Sequence, residues 1–212
     1  MTAELAPYVT AFVTLLVIID PMGLAPLFIA LTQGASPGRR RVIALTACVV
    51  AAGVLTAFGI FGETVLGIAG ISMPAFRVAG GALLFLTALD MLFEKRSKRR
   101  KGQGDAVEET HDPSVFPLAI PLLAGPGAIA TMILLTGQNA GDWSWILAIH
   151  GVMVAVLAVT FLMFLAASVI ERALGPLGIN VVTRLLGMLL AALAVQFILD
   201  GLAEFGVFTP AI

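Results

Sequence analysis

Six apolar runs, each long enough to cross a bilayer, take up most of this chain and leave room for little else. A hydrocarbon core about 30 Å thick needs about 20 apolar residues in a helix. The runs fall at residues 8–31, 42–62, 74–93, 115–137, 146–168 and 182–204. Between them lie Gln33–Arg41, Glu63–Met73, Glu94–Ser114, Gln138–Trp145 and Glu171–Asn180, all too short for a soluble domain. Composition agrees, with 59% of the 212 residues hydrophobic and only 12% charged. A soluble domain needs about 25% charged residues to solvate its surface. The sequence therefore predicts an all-α membrane protein with a single membrane domain over residues 1–212. Met1–Pro7 contains Glu4 and no Lys or Arg, so it lacks the basic start of a cleavable signal peptide. The first run is expected to be a retained anchor. The single cysteine, Cys48, is expected to be a small packed residue.

Basic residues orient the bundle. Arg39, Arg40 and Arg41 follow the first run, and Arg172 follows the fifth. Lys95, Arg96, Lys98, Arg99, Arg100 and Lys101 follow the third, whereas the loops after the second and fourth hold none. The positive-inside rule makes the odd-numbered loops cytoplasmic and puts both termini outside. The linker of about 94–114 is basic first and then acidic, with Asp105, Glu108, Glu109 and Asp112. It reads as a solvated segment that sets topology, and its basic part can also meet anionic lipid heads. His111 is expected to be exposed. Trp143 and Trp145 read as an interfacial aromatic belt.

The two halves of the chain resemble each other. Gly70-Ile71-Ser72 precedes Arg77-Val78-Ala79-Gly80, and Gly178-Ile179-Asn180 precedes Arg184-Leu185-Leu186-Gly187. Likewise Asp20-Pro21-Met22-Gly23 leads into a run ending at Thr32-Gln33-Gly34, and Gly125-Pro126-Gly127 into one ending at Thr136-Gly137-Gln138. Both matches have nearly the same spacing. Repeat one covers about 1–93 and repeat two about 115–212. Each holds an odd number of spans, so the second must enter the bilayer from the opposite side, as in many secondary transporters.

Spans one and four are also the ones broken by proline and glycine, close to the midplane. Pro21 and Pro26 cannot sit in an uninterrupted helix, and Asp20 before Pro21 is pushed from helical geometry. Gly125-Pro126-Gly127 forms the matching break, with Pro117 and Pro121 one and two turns earlier. Lipid offers no partners to backbone groups freed there. Half-helices starting after such breaks would aim N–H groups at a carboxylate, and the carbonyls before them could hold an ammonium group or cation. Candidate substrate-binding residues are Asp20, Pro21, Gly23, Gly125, Pro126 and Gly127, and the site suits a small zwitterion. Asp20 can also carry a proton or stand as a hydrogen-bonded neutral acid. Weaker polar support comes from Arg77, Asn180, Arg184 and Gln196. Arg77 and Arg184 can pair with Asp20 or snorkel to headgroups. Asp90 and Asp200 lie near span ends, and Gln196 is deep enough to bridge helices. Gly80, Gly81, Gly187-x-x-x-Ala191 and Gly53-x-x-x-Ala57 read as close helix packing.

Nothing points to an enzyme. No Gly-x-Ser-x-Gly, His-Glu-x-x-His or phosphate-loop pattern occurs. Gly102-Gln103-Gly104-Asp105 matches a membrane aspartyl protease pattern but lies in the charged loop, and it reads as chance. His150 stands alone and reads as an interfacial polar residue. No cofactor, metal or nucleic acid is expected.

The sequence resembles the MarC family of six-span bacterial inner-membrane proteins, related to a lysine-exporter-like superfamily. The residues carrying the likeness are Gly70-Ile71-Ser72-Met73-Pro74 with Arg77-Val78-Ala79-Gly80-Gly81, and Pro117-Leu118-Ala119-Ile120-Pro121 with Ala124-Gly125-Pro126-Gly127. Arg184-Leu185-Leu186-Gly187 and Gln196-Phe197-Ile198-Leu199-Asp200-Gly201 complete it. The resemblance implies a bacterial inner-membrane location, with both termini periplasmic by the charge rule. It also implies a secondary transporter of small neutral amino acids, driven by a proton or sodium gradient. Export of another metabolite or drug-like compound, or a non-transporting scaffold, is the alternative. The partners expected are an amino acid-like substrate and the lipid bilayer, and a homo-oligomer is compatible with the sequence.

Overall fold

The computed structural model describes residues 2–93 and 112–205, with side chains from Leu5 onward. The helices are α1 (Thr2–Ile19), α2 (Pro21–Leu31), α3 (Pro37–Ile68), α4 (Met73–Leu92), an irregular π-type α5 (Ser114–Leu123), α6 (Pro126–Thr136), α7 (Trp143–Leu165) and α8 (Ala167–Glu204). Five spans among the described residues are long and apolar enough to cross a membrane, the first being Leu5–Leu31 across α1 and α2. The α5–α6 pair, bent by 56° at its break, makes a sixth when taken as one broken span. The basic stretch Lys95–Lys101, the Gly102–Asp105 match, Glu108, Glu109 and His111 lie outside the described residues.

Short polar signals start and stop the long helices. Ser36 caps α3 by accepting from the Arg39 N–H at 3.3 Å, and Pro37 opens the helix with φ already preset. Gly70 ends α3 at φ 71°, where the Ile71 N–H reaches the Leu66 carbonyl at 2.9 Å. That is a left-handed glycine stop. Ser72 at once caps α4, accepting from the Ala75 N–H at 3.4 Å. Gly70-Ile71-Ser72 is thus a stop followed by a start. Its sequence match, Gly178-Ile179-Asn180, lies inside α8, and the interruption there is at Gly175, at φ 61° before Pro176.

Two loops expected from the sequence are helical. Glu63–Met73 is mostly the end of α3, and Glu171–Asn180 is helix with the Gly175 kink inside it. Polar residues there mark the ends of helices that outrun the apolar core, rather than turns. Helix α5 is more irregular than a simple break predicts. Phe116 and Ile120, each preceding a proline, take extended backbone angles.

Helices α4 and α8 cross antiparallel, and glycines bring them together. A Cβ on Gly81 would lie 2.8 Å from the Ala194 carbonyl oxygen, and one on Gly201 would lie 2.9 Å from that of Pro74. Gly187 packs on Met91 and Ala88. Such contacts let backbones approach where lipid removes the hydrophobic drive for helix association. Gly53 does not share this role, because it faces open space. Several helix contacts match in pairs: α3 with α5 and α7 with α1, α3 with α6 and α7 with α2, α4 with α6 and α8 with α2. Helix α1 also packs on α6 and α8, without a comparable counterpart at α5 among the described residues.

The interior is mostly apolar around Leu15, Ile19, Leu24, Leu84, Leu123, Met132 and Leu134, with Asp20 and a few threonines among its buried polar side chains. The outside is apolar too, with Val49, Phe61, Leu86, Leu147, Leu162 and Leu185 exposed. A surface like this is made for lipid. Three cross-chain contacts join ends that the charge pattern assigns to one side. Arg39 pairs with Asp112 at 3.2 Å, Arg77 pairs with Glu204, and Tyr8 packs on Trp145 with ring centroids 5.4 Å apart.

Candidate functional site

The break after α1 is one residue wide. Asp20 sits at φ 55° and ψ 64°, the only non-glycine residue at positive φ among those described. Its N–H still bonds the Leu16 carbonyl at 2.9 Å, and its own carbonyl accepts from Leu24 at 3.1 Å. Both helices therefore keep their ladders up to the turn. Pro21 follows as the first residue of α2, where a missing N–H costs nothing. The Asp20 carboxyl accepts from the Gly23 N–H at 3.1 Å, capping α2. Asp20 is fully buried. The positive end of α2 thus faces a carboxyl from its own chain, not an open anion site as the sequence suggested. A Cβ on Gly23 would lie 2.2 Å from that carboxyl, so glycine is what admits the cap.

The second break is built differently. Helix α6 has the same length as α2, 11 residues, and the same opening proline, Pro126. Its N-cap is Gly125, and no side chain caps it. Gly125 lies against the Pro121 carbonyl, 2.5 Å from where a Cβ would sit. The N–H groups of Gly127 and Ala128 at this end therefore have no side-chain acceptor among the described residues. Those groups carry the partial positive charge of the helix.

The two breaks meet. A Cβ on Gly127 would lie 2.9 Å from Ile18 Cδ1 and 3.6 Å from Leu84. Ile18 is two residues before Asp20, so the start of α6 rests on the end of α1. The half-helices are held at their far ends too. Arg40 Nε donates to the Thr32 carbonyl at the end of α2, 3.2 Å away. Trp145 Nε1 donates to the Leu135 carbonyl near the end of α6, 2.8 Å away. Thr32 and Thr136 hydroxyls bond back to the Phe28 and Met132 carbonyls at 2.7 and 2.9 Å.

The weaker candidates are not gathered here. Arg77 is buried and pairs with Glu204 on α8, neither reaching Asp20 nor snorkelling freely. Gln196 is exposed and donates to Asp200 one turn along the same helix at 2.6 Å, so it bridges no helices. Asn180 is half-buried and Arg184 exposed, both on α8 and both engaged in contacts of their own. Asp90 is half-buried near the end of α4. Trp145 is buried, unlike Trp143, because its indole N–H is drawn in to Leu135.

Sequence reasoning passed over three buried polar atoms. Thr131 lies one turn past Gly127 on α6, fully buried, and its hydroxyl has no hydrogen-bond partner among the described residues. Thr183 Oγ1 and His150 Nε2 share that condition. The His150 side chain turns toward α3: Nδ1 bonds the Ile146 carbonyl at 2.7 Å, and Nε2 lies against Gly59. A lone threonine inside an apolar half-helix is the signal that could have identified Thr131. Among the described residues no group of three or more His, Cys, Asp or Glu side chains could hold a metal ion.

Comparison with known proteins gives a family. A family model described as MarC family integral membrane protein matches residues 5–205. A UPF0056 membrane protein of Methanocaldococcus jannaschii is 35% identical over 200 residues, covering 94% of this chain and 97% of its own. The UPF0056 membrane protein YvbG of Bacillus subtilis is 37% identical over 197 residues, covering 92% of this chain and 93% of its own. The UPF0056 inner membrane protein YhgN of Escherichia coli is 34% identical over 196 residues, covering 92% and 95%. No solved structure matches the chain. A match across nearly every described helix, on top of a lipid-facing bundle with two broken spans, makes this chain a member of the MarC family of integral membrane proteins.

Proposed function

We propose that this protein is a secondary transporter that moves a small neutral amino acid across the bacterial inner membrane, driven by a proton or sodium gradient. The observation that carries this reading is the contact of the two helix breaks at Ile18 and Gly127. One break offers a buried carboxyl at Asp20, and the other offers the uncapped start of α6. A zwitterion has two ends of matching sign. Its ammonium group goes to Asp20 and its carboxylate to the N–H groups beyond Gly125. The Cβ positions of Gly23, Gly125 and Gly127 are already crowded by neighbouring atoms, which argues against a bulky substrate side chain at the breaks.

The matched helix contacts and the equal lengths of α2 and α6 support two inverted-topology repeats. Rocking of one repeat against the other would open the breaks to each side in turn. The inner-membrane location draws on the printed name of the Escherichia coli relative. The arginines after α2 argue for cytoplasmic loops at that end and for both termini outside.

Proteoliposomes loaded with radiolabelled glycine or alanine, under an imposed proton or sodium gradient, test the proposal. Flux that collapses with one gradient is the expected result. No flux of either amino acid under either gradient would overturn it.

A further inference from the structure

At the far end of α2 from the breaks, a groove of about 470 Å³ opens to the surface between α2, the start of α3 and the junction of α7 with α8. Its basic edge is Arg40 and Arg41, and no acidic residue lines it. Its apolar wall is Phe28, Ile29, Phe164 and Leu165, with Phe28 and Phe164 stacked at a centroid separation of 4.6 Å. The three arginines here are not equivalent. Arg39 is matched by Asp112. Arg40, which lines the groove, spends only its Nε–H on the Thr32 carbonyl. Arg41 has no acidic partner among the described residues.

This combination suits one kind of occupant. Arg40 and Arg41 both line the groove, and a guanidinium offers a phosphate forked donors. Val42 and Leu45, just beyond Arg41 on the outer face of α3, are each more than half exposed. That face meets lipid, so the groove lies where headgroups end and acyl chains begin. Basic pockets between helices at such a level take anionic lipid heads. We propose that this groove is a binding site for an anionic phospholipid, its phosphate on Arg40 and Arg41 and its acyl chain along Ile29 and Leu165, the accessible apolar residues of its wall. The lipid then reinforces the end of α2, because Arg40 bridges the phosphate and the Thr32 carbonyl. The site is separate from the helix breaks, and it stands whether or not amino acids are transported.

The test uses the full chain purified in a neutral detergent. Phosphatidylglycerol, phosphatidylcholine and soluble glycerol phosphate are titrated separately, with native mass spectrometry and thermal unfolding as readouts. Phosphatidylglycerol is expected to stay bound and to raise the unfolding midpoint by several degrees, while the other two do neither. Arg41→Gln should weaken phosphatidylglycerol binding about tenfold, the loss of one charge-assisted contact. Arg40→Gln also removes a cap and can lower stability by itself, so Arg41→Gln is the deciding variant. Equal binding of phosphatidylcholine would overturn the proposal. So would a glycerol phosphate effect equal to that of the lipid, or unchanged lipid affinity in Arg41→Gln.

Discussion

Replacing Asp20 in turn with Asn, Gly and Ala separates its charge, its cap and its backbone angle. Asparagine keeps an acceptor for the Gly23 N–H and tolerates a φ of 55°. Asp20→Asn should therefore fold within about 0.5 kcal/mol of the wild type. Glycine tolerates the angle but gives up the side-chain cap, a loss of a few tenths of a kcal/mol at such positions. Alanine gives up the same cap and in addition meets the left-handed penalty, about 1–2 kcal/mol. Removing a carboxyl from the membrane interior brings some relief, but Gly and Ala variants share it. Their difference, about 1–2 kcal/mol, isolates the backbone. It corresponds to about 2–8 °C between the two unfolding midpoints for a chain of this size. Thermal unfolding in detergent measures that gap, and amino-acid flux at two external pH values measures the charge. Asp20→Asn should fold but lose flux or its pH dependence. An alanine variant as stable as the glycine variant would refute the backbone argument. An Asn variant with wild-type flux and an unchanged pH response would refute the role of the charge.

Gly81→Ala should destabilise by about 1–3 kcal/mol, because its Cβ meets the backbone of Ala194 and Ile198 as well as the Ile198 side chain, and the backbone cannot move aside. Gly53→Ala, facing open space, should be neutral or stabilising by up to about 1 kcal/mol in the same unfolding assay. Trp145→Phe leaves the Leu135 carbonyl without its donor and should cost about 1–3 kcal/mol, read as a lower midpoint with the helical content unchanged. Asp142 caps α7 outside the membrane, and its carboxyl is held below the usual range by the Ser144 hydroxyl first and then by the Ser144 and Trp145 N–H groups. A depressed folded value means the cap contributes fully above the unfolded value and is lost as pH falls through the folded one. The midpoint of the wild type should fall more in acid than that of Asp142→Asn, and parallel acid profiles would dismiss the cap.

The spans were legible because bilayer thickness sets one length scale, and apolar runs of that length stand out against any background. The breaks were legible because proline has no N–H and disfavours helical geometry in the residue before it, although Pro26, expected to interrupt its helix, sits inside α2 without breaking it. Asp20 and Gly125 therefore announced themselves in the sequence. The helical Glu171–Asn180 segment did not, since a hydropathy scan marks the edge of the lipid and not the end of the helix. Pairings between distant residues were equally hidden. Nothing near Arg77 names Glu204, and nothing near Trp145 names the Leu135 carbonyl. Those contacts exist only once α4 has crossed α8 and α7 has come beside α6.

The cap at Asp20 was also out of reach, and it changes the chemistry most. From sequence, the starts of α2 and α6 looked like equivalent anion sites. In the fold one is filled by its own carboxyl and the other has no side-chain cap. Had both breaks carried aspartate, a substrate carboxylate would meet two like charges in a medium too apolar to screen them. Had both carried glycine, two positive helix ends would face each other with nothing to hold an ammonium group. One of each sets a carboxyl at one break and uncapped N–H groups at the other, the polarity that the proposed amino-acid substrate calls for. Introducing an aspartate as Gly125→Asp should therefore abolish amino-acid flux even where the variant folds. Undiminished flux in that variant would mean that the α6 end does not hold the carboxylate.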